Sequence, residues 1–176
     1  MKQAMINYIK NHKNDELYTP KCAIFPLLPY LKKFKDKIFW ECTDFGESNI
    51  TKVLQKKGFK VITSHIKEGK NFFEYQPEKW DILITNPPYS LKNEFLERAY
   101  SLGKPFCFLL PLTALEGVKR GRLFRKYGIE LLVIDKRINF MKEKRSCWFN
   151  TSWFCWKILP EKLIFAELNC GGDKDG

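Results

Sequence analysis

An α/β fold with a doubly wound parallel sheet is predicted by three features of this 176-residue sequence. Short apolar runs alternate with stretches of helical spacing. The apolar runs are almost continuous rather than alternating polar and apolar, which marks strands buried on both faces. Glycines punctuate the ends of the helical stretches, where a left-handed residue closes the last turn. Strand–helix alternation of this kind builds a sheet covered by helices on both sides. In such sheets ligands gather beyond the carboxyl ends of the strands.

The elements follow in chain order. Residues 1–13 are polar, with no continuous apolar stretch, and are expected to be helical or partly disordered. Tyr18-Thr19-Pro20 is expected to start a helix, with Thr19 as N-cap and Pro20 at the first helical position. Pro26 and Pro29 then allow at best a kinked helical segment over 23–34. Residues 38–42 read as a buried strand. Ile50, Val53 and Leu54 give 49–57 helical spacing, Gly58 closes it, and Ser48 reads as its N-cap. Residues 60–64 are a second strand and 72–75 a faint third. Residues 80–85, from Trp80 to Thr85, are the clearest strand, and 91–102 form an amphipathic helix ended by Gly103. A strand over 105–110, a basic helix over 115–127, and strands over 130–134 and 153–158 complete the pattern. The sequence is expected to form one domain over 1–170, with 171–176 a disordered tail.

Hydrophobic residues make up 44% of the chain and aromatics 15%, which excludes a disordered protein. The formal net charge is +11. A surplus of that size favours polyanionic partners, because each phosphate neutralised releases condensed counterions. The six cysteines, Cys22, Cys42, Cys107, Cys147, Cys155 and Cys170, form no CxxC pair, and neither His12 nor His65 lies near a cluster of them. No metal site is expected. Several of the cysteines lie in apolar runs and read as small buried hydrophobes, in keeping with a reducing, cytoplasmic setting. No secretion signal and no membrane span are expected.

Asn86-Pro87-Pro88-Tyr89 carries the chemistry. It follows the clearest strand and precedes a helix, so it sits on the ligand-binding edge. Two prolines fix the backbone and supply no N–H, leaving carbonyls free to point into a cleft. The Asn86 side-chain oxygen and the Pro87 carbonyl are placed to accept the two hydrogens of a planar NH2 group. That would localise the lone pair on nitrogen and aim it at a methyl donor. Tyr89 would stack on the ring that bears the amine.

Asp81-Ile82-Leu83-Ile84-Thr85-Asn86-Pro87-Pro88-Tyr89 resembles motif IV of the amino-methyltransferases that modify adenine N6 or cytosine N4. Most of the chain shares the likeness, which is nearest to small phage- and prophage-type adenine methyltransferase-like proteins. The stretch Asn150-Thr151-Ser152-Trp153-Phe154-Cys155-Trp156 is similar to the family's antiparallel strand near the C-terminus. The resemblance therefore implies a Rossmann-like sheet, mostly parallel with one antiparallel strand, and S-adenosylmethionine as cofactor. It further implies that Tyr18, Thr19 and Pro20 contact the cofactor's methionine end. Glu41 or Asp44 would contact its ammonium, with Gly46 giving room for the backbone. Asn71 would stand where the family places an acid against the cofactor's adenine.

Three departures cluster at the cofactor. The stretch from Glu41 to Ser48 has one glycine, with Ser48 where a second is usual. The second strand ends Thr63-Ser64-His65 rather than in a carboxylate for the ribose. Asn71 replaces an aspartate.

Nucleic acid is the expected partner. Lys119, Arg120, Arg122 and Arg125 lie on the basic helix. Lys136, Arg137, Lys144 and Arg145 lie in a second segment, interleaved with Phe140 and Trp148, which suits phosphate contact with base stacking. No separate target-recognition domain is expected, because the sheet uses almost all of the residues, so short loops or a partner subunit would supply that role. Three readings compete. They are adenine N6 methylation in DNA or RNA, methylation of a protein glutamine, and a methyltransferase-like fold that binds nucleic acid or a partner without catalysis.

Overall fold

The computed structural model describes residues 19–140 and 150–170. Its strands are β1 (Ile38–Glu41), β2 (Lys60–Thr63), β3 (Ile82–Thr85), β4 (Phe106–Pro111), β5 (Glu130–Ile134), β6 (Thr151–Trp156) and β7 (Leu163–Ala166). They form one seven-stranded sheet in the order β2-β1-β3-β4-β6-β5-β7. β2, β1, β3 and β4 run parallel, whereas β6 is antiparallel to both β4 and β5. The predicted sheet, mostly parallel with one reversed C-terminal strand, is thus observed.

The helices are α1 (Leu28–Leu31), α2 (Asn49–Lys56), α3 (Lys92–Leu102) and α4 (Val118–Tyr127). Side chains alternate across each strand, and two cores result. One packs Phe39, Ile82, Ile84, Leu109 and Trp153 against Ala23, Ile24, Leu27 and the Ile50–Val53–Leu54 stripe of α2. The other packs Trp40, Leu83, Phe106, Phe108 and Phe154 against Phe95, Leu96, Ala99 and Tyr100 of α3. Helices therefore cover both faces, and the turns after β1 and β3 emerge side by side at one edge.

Four local expectations are corrected. Residues 72–75 form a turn, not a strand, because the Asn71 carbonyl accepts from both Glu74 N and Tyr75 N. Phe72 instead turns into the core and stacks on Phe95 at 5.5 Å or less from its aromatic neighbours Trp40 and Phe73. The basic helix begins at Val118, since 112–115 is a 3-10 turn ended by an extended Glu116. β7 was not foreseen; two of its four residues, Leu163 and Phe165, are exposed, so it reads from sequence as a solvated loop. The first element is a 3-10 turn over Lys21–Ala23 whose cap is Pro20, with no side-chain cap. Thr19 is used elsewhere, as described below.

Cys42, Cys107 and Cys155 are buried free thiols, as expected. Cys22 and Cys170 form a disulfide across 148 positions of sequence. Cysteine spacing gave no sign of this pair, whose members lie at opposite ends of the described chain. Among the described residues, no group of three metal-ligating side chains converges, and no helix is long and apolar enough to cross a membrane.

Candidate active site

β1 delivers Glu41 to the carboxyl edge of the sheet, where it is 1% exposed. Its Oε1 accepts from Thr43 N at 3.1 Å and from Thr43 Oγ1 at 3.0 Å. Thr43 Oγ1 in turn lies 2.6 Å from Thr85 Oγ1, at the end of β3. A short hydroxyl chain thus links the acid on β1 to the residue that precedes Asn86. Burial raises the Glu41 carboxyl to about 7, against the lowering effect of these hydrogen bonds and with the nearby Asp44 charge adding to the rise.

Asp44 is also buried, and it organises the loop that follows β1. Its Oδ1 accepts from Glu47 N and Ser48 N, both at 2.9 Å, and its Oδ2 accepts from Thr51 Oγ1 at 2.7 Å. Backbone bonds from Asp44 N to Ser64 O and from Ser64 N to Glu41 O tie the loop to the end of β2. Ser48 caps α2 by accepting from Thr51 N at 3.1 Å, as its position predicts. Gly46 adopts φ +99°, and a Cβ there would meet nothing within 4 Å. It is needed for its backbone conformation, and the space above it is open.

Where β2 would end in an acid stands His65, whose Nδ1 accepts from Lys67 N at 3.0 Å. The exposed ring of Phe45 meets it edge-on, with centroids 5.1 Å apart. Asn71 uses its side-chain oxygen to accept from Phe73 N at 3.0 Å, within its own turn.

The β3 turn is built differently. Asn86 donates from Nδ2 to Thr19 Oγ1 at 3.0 Å, across 67 positions of sequence. Thr19 is itself 6% exposed, and its carbonyl accepts from Asn49 Nδ2 at 2.9 Å. The segments at 19, 49 and 86 therefore converge on one point. Because the amide nitrogen is committed to Thr19, the orientation of the planar Asn86 side chain is set and its oxygen lies at the opposite end. Pro87 is buried, while Pro88 and Tyr89 are half-buried. The Pro88 carbonyl accepts from Leu91 N, which starts the 3-10 turn leading into α3. Lys92 Nζ donates to the Tyr89 carbonyl at 3.0 Å and braces the turn.

The basic residues fall into two groups. Lys119, Arg122 and Arg125 are exposed on α4. Arg120 is drawn inward: its Nε donates to Ala114 O at 2.6 Å, Nη1 to Asn93 Oδ1 at 2.5 Å, and Nη2 to Glu116 O. Lys136 donates to Leu168 O at 3.3 Å and lies 3.7 Å from Glu167, and Arg137 donates to Asn150 Oδ1 at 3.1 Å. Tyr18, Lys144 and Arg145 lie outside the described residues.

Sequence reasoning gave no role to Thr43, Thr85 or Asn49, although each carries a bond that holds the edge together. Thr85 alone had a visible signal, as the residue adjoining the Asn86 turn.

The fold of the chain matches known structures. A protein from Listeria monocytogenes assigned as a class I S-adenosylmethionine-dependent methyltransferase superposes with a TM-score of 0.56 at 14% identity, over 95% of this chain and 71% of that one. The chain has the class I methyltransferase fold. A protein from Vibrio vulnificus YJ016 assigned as a modification subunit of a type I restriction enzyme superposes with a TM-score of 0.51 at 8% identity. That match covers 97% of this chain, which spans 51% of the subunit's length. No protein-family model matches the sequence, and no curated protein matches it.

Proposed function

We propose that this chain is an S-adenosylmethionine-dependent N-methyltransferase acting on an exocyclic amine, with adenine N6 in nucleic acid as the substrate. The observation that carries this reading is the Asn86–Thr19 bond, which fixes the amide of an Asn-Pro-Pro-Tyr turn at the same sheet edge as buried Glu41 of β1 and Asp44 of the loop after it. The edge suits the cofactor in two respects. Gly46, two residues after Asp44, has open space above it, and among the described residues neither Glu41 nor Asp44 has an ion-pair partner. A cofactor bearing an ammonium and a sulfonium would supply the missing positive charge.

When bound, S-adenosylmethionine supplies an electrophilic methyl group. The chain's own task is to position the amine. Asn86 Oδ1 and the Pro87 carbonyl accept its two N–H bonds and raise the lone-pair density on nitrogen. Tyr89 stacks against the heterocycle, and Thr19 holds the Asn86 amide so that its oxygen, not its nitrogen, meets the substrate. The surplus proton leaves to solvent after transfer, so no strong base is required. Lys119, Arg122 and Arg125 supply phosphate contacts. Lys136 and Arg137, beside their own hydrogen-bond partners, remain candidates for the same role.

The test pairs two measurements: calorimetric binding of the cofactor, and methyl transfer from labelled cofactor to adenine-containing oligonucleotides. Asn86→Ala is expected to reduce transfer by roughly 100-fold while leaving cofactor affinity within a few-fold. No cofactor binding by the folded protein would overturn the reading. A second reading, a nucleic-acid-binding domain of this fold without transfer, is favoured by one observation: Asp44 and Asn71 spend side-chain oxygens on their own loops.

A further inference from the structure

Beside the Asn86 turn, the segment joining β4 to α4 exposes two apolar side chains. Leu115 is 42% exposed and Val118 73%. Single apolar residues at a surface are ordinary, but these two flank a tight turn that is held rigidly. Arg120 reaches back to donate to the carbonyls of Ala114 and Glu116 and to Asn93 Oδ1. Gly117 sits at φ +130°, and a Cβ there would lie 2.5 Å from Arg120 Nη2 and 2.9 Å from its Cζ. The turn thus requires glycine for its backbone, and a side chain there would also push the Arg120 guanidinium from its place. Asn93 lies in the first turn of α3, directly after Lys92, which braces the Tyr89 carbonyl. One guanidinium therefore ties the apolar tip to the helix that begins at the catalytic turn.

The charge around the tip is one-sided. From Leu112 to Tyr127 the sequence has five cations and a single acid, Glu116. Val118, Arg122 and Arg125 follow at i, i+4 and i+7, so the apolar tip continues along one helix face into two exposed guanidinium groups. Apolar wedges flanked by cations open base stacks when they enter a duplex, and an enzyme that alters a base must take that base out of the stack.

We propose that Leu115 and Val118 form a wedge that enters the stack of a nucleic-acid duplex next to the target nucleotide, while Arg122 and Arg125 grip the flanking phosphates. The inference rests on the nucleic-acid reading above and adds to it the residues that open the duplex. It makes a double-stranded substrate accessible to a catalytic turn that can only act on an extruded base.

The test needs no methyl donor. Fluorescent duplexes with 2-aminopurine in place of adenine, and the matching single strands, are titrated with the wild type, Leu115→Ser/Val118→Ser and Arg122→Gln/Arg125→Gln. Wild type is expected to raise 2-aminopurine fluorescence in the duplex. The serine pair is expected to lose most of that rise and roughly tenfold in duplex affinity, with a much smaller change for single strands. The arginine pair is expected to weaken both substrates and to lower the salt slope by about two. Equal duplex affinity and equal fluorescence for the serine pair and wild type would overturn the wedge alone. A loss of self-association in the serine pair, with nucleic-acid binding intact, would overturn it in favour of a protein interface. Failure of wild type to bind any oligonucleotide would overturn the substrate class as well. Intact unstacking here, with no methyl transfer in the labelled-cofactor assay described above, would leave the wedge standing and sink the transfer reading.

Discussion

The turns that end β1 and β3 share one edge of the sheet, yet they use their polar side chains in opposite ways. After β1, Asp44 directs both carboxylate oxygens to its own loop and to the start of α2. After β3, Asn86 is held from outside by Thr19, so that one end of its amide is anchored and the other is defined. The Asp44 side chain supports its own loop, and the Asn86 side chain is supported by a distant neighbour. A self-supporting loop ties its polar groups to stability, whereas an externally braced one can present a polar group for function. Substitutions in the first should therefore register mainly as lost folding free energy, and substitutions in the second as lost turnover.

The largest expected effect is at Asp44. Asp44→Ala removes the acceptor for two backbone N–H groups and one hydroxyl, and should destabilise the protein by about 3–4 kcal/mol in urea titrations. A loss below about 1 kcal/mol would show that the loop is not held by this carboxylate.

Next comes Glu41. Because its folded value is raised to about 7 from 4.5, the folded state binds the proton more tightly than the unfolded chain. Stability should therefore fall as pH rises from 4.5 to 7 and be level outside that window, by a total of about 3 kcal/mol. Glu41→Gln should flatten this part of the profile and be the more stable protein at pH above 7. Cofactor affinity should show the inverse trend, rising with pH toward 7 as the carboxylate ionises beside a cation. A profile identical in wild type and Glu41→Gln would sink both statements.

Asn86→Ala, with transfer reduced by roughly 100-fold, corresponds to about 2.7 kcal/mol of lost transition-state stabilisation. Its melting temperature should stay close to wild type, in contrast to Asp44→Ala. The smallest effect is expected from Thr19→Val, which keeps the shape but removes the hydroxyl that receives Asn86 Nδ2. Turnover should fall by about tenfold, with stability lowered by about 1 kcal/mol. If Thr19→Val leaves turnover unchanged, the bracing of the Asn86 amide has no catalytic consequence.

Legibility followed the range of the interactions. Runs such as residues 80–85 announced their strands, and Gly58 and Gly103 announced helix ends, because those signals are local. Residues 72–75 misled for a local reason too. A cluster of aromatics resembles a strand, but Asn71 accepts two backbone bonds and turns the chain, and Phe72 reaches the core from a loop. β7 was hidden because half of its residues face solvent. The Asn-Pro-Pro-Tyr turn was legible as a motif, but its anchors were not. The Asn86–Thr19, Thr43–Thr85 and Asn49–Thr19 bonds each join positions at least 30 apart, and no spacing rule encodes them. The same holds for Arg120, which composition placed among phosphate-binding cations and which the fold spends on carbonyls of the neighbouring turn.

The bond between Cys22 and Cys170 also changes what the chain is as a topological object. It encloses β1 to β7 and α1 to α4 in one covalent ring. A protease that cuts once anywhere inside that ring yields a nicked molecule of unchanged mass on a non-reducing gel, apart from the water added, and two fragments only after a thiol is supplied. It also brings the two ends of the ring together, so new termini could be opened in a surface loop while the old ones stay joined.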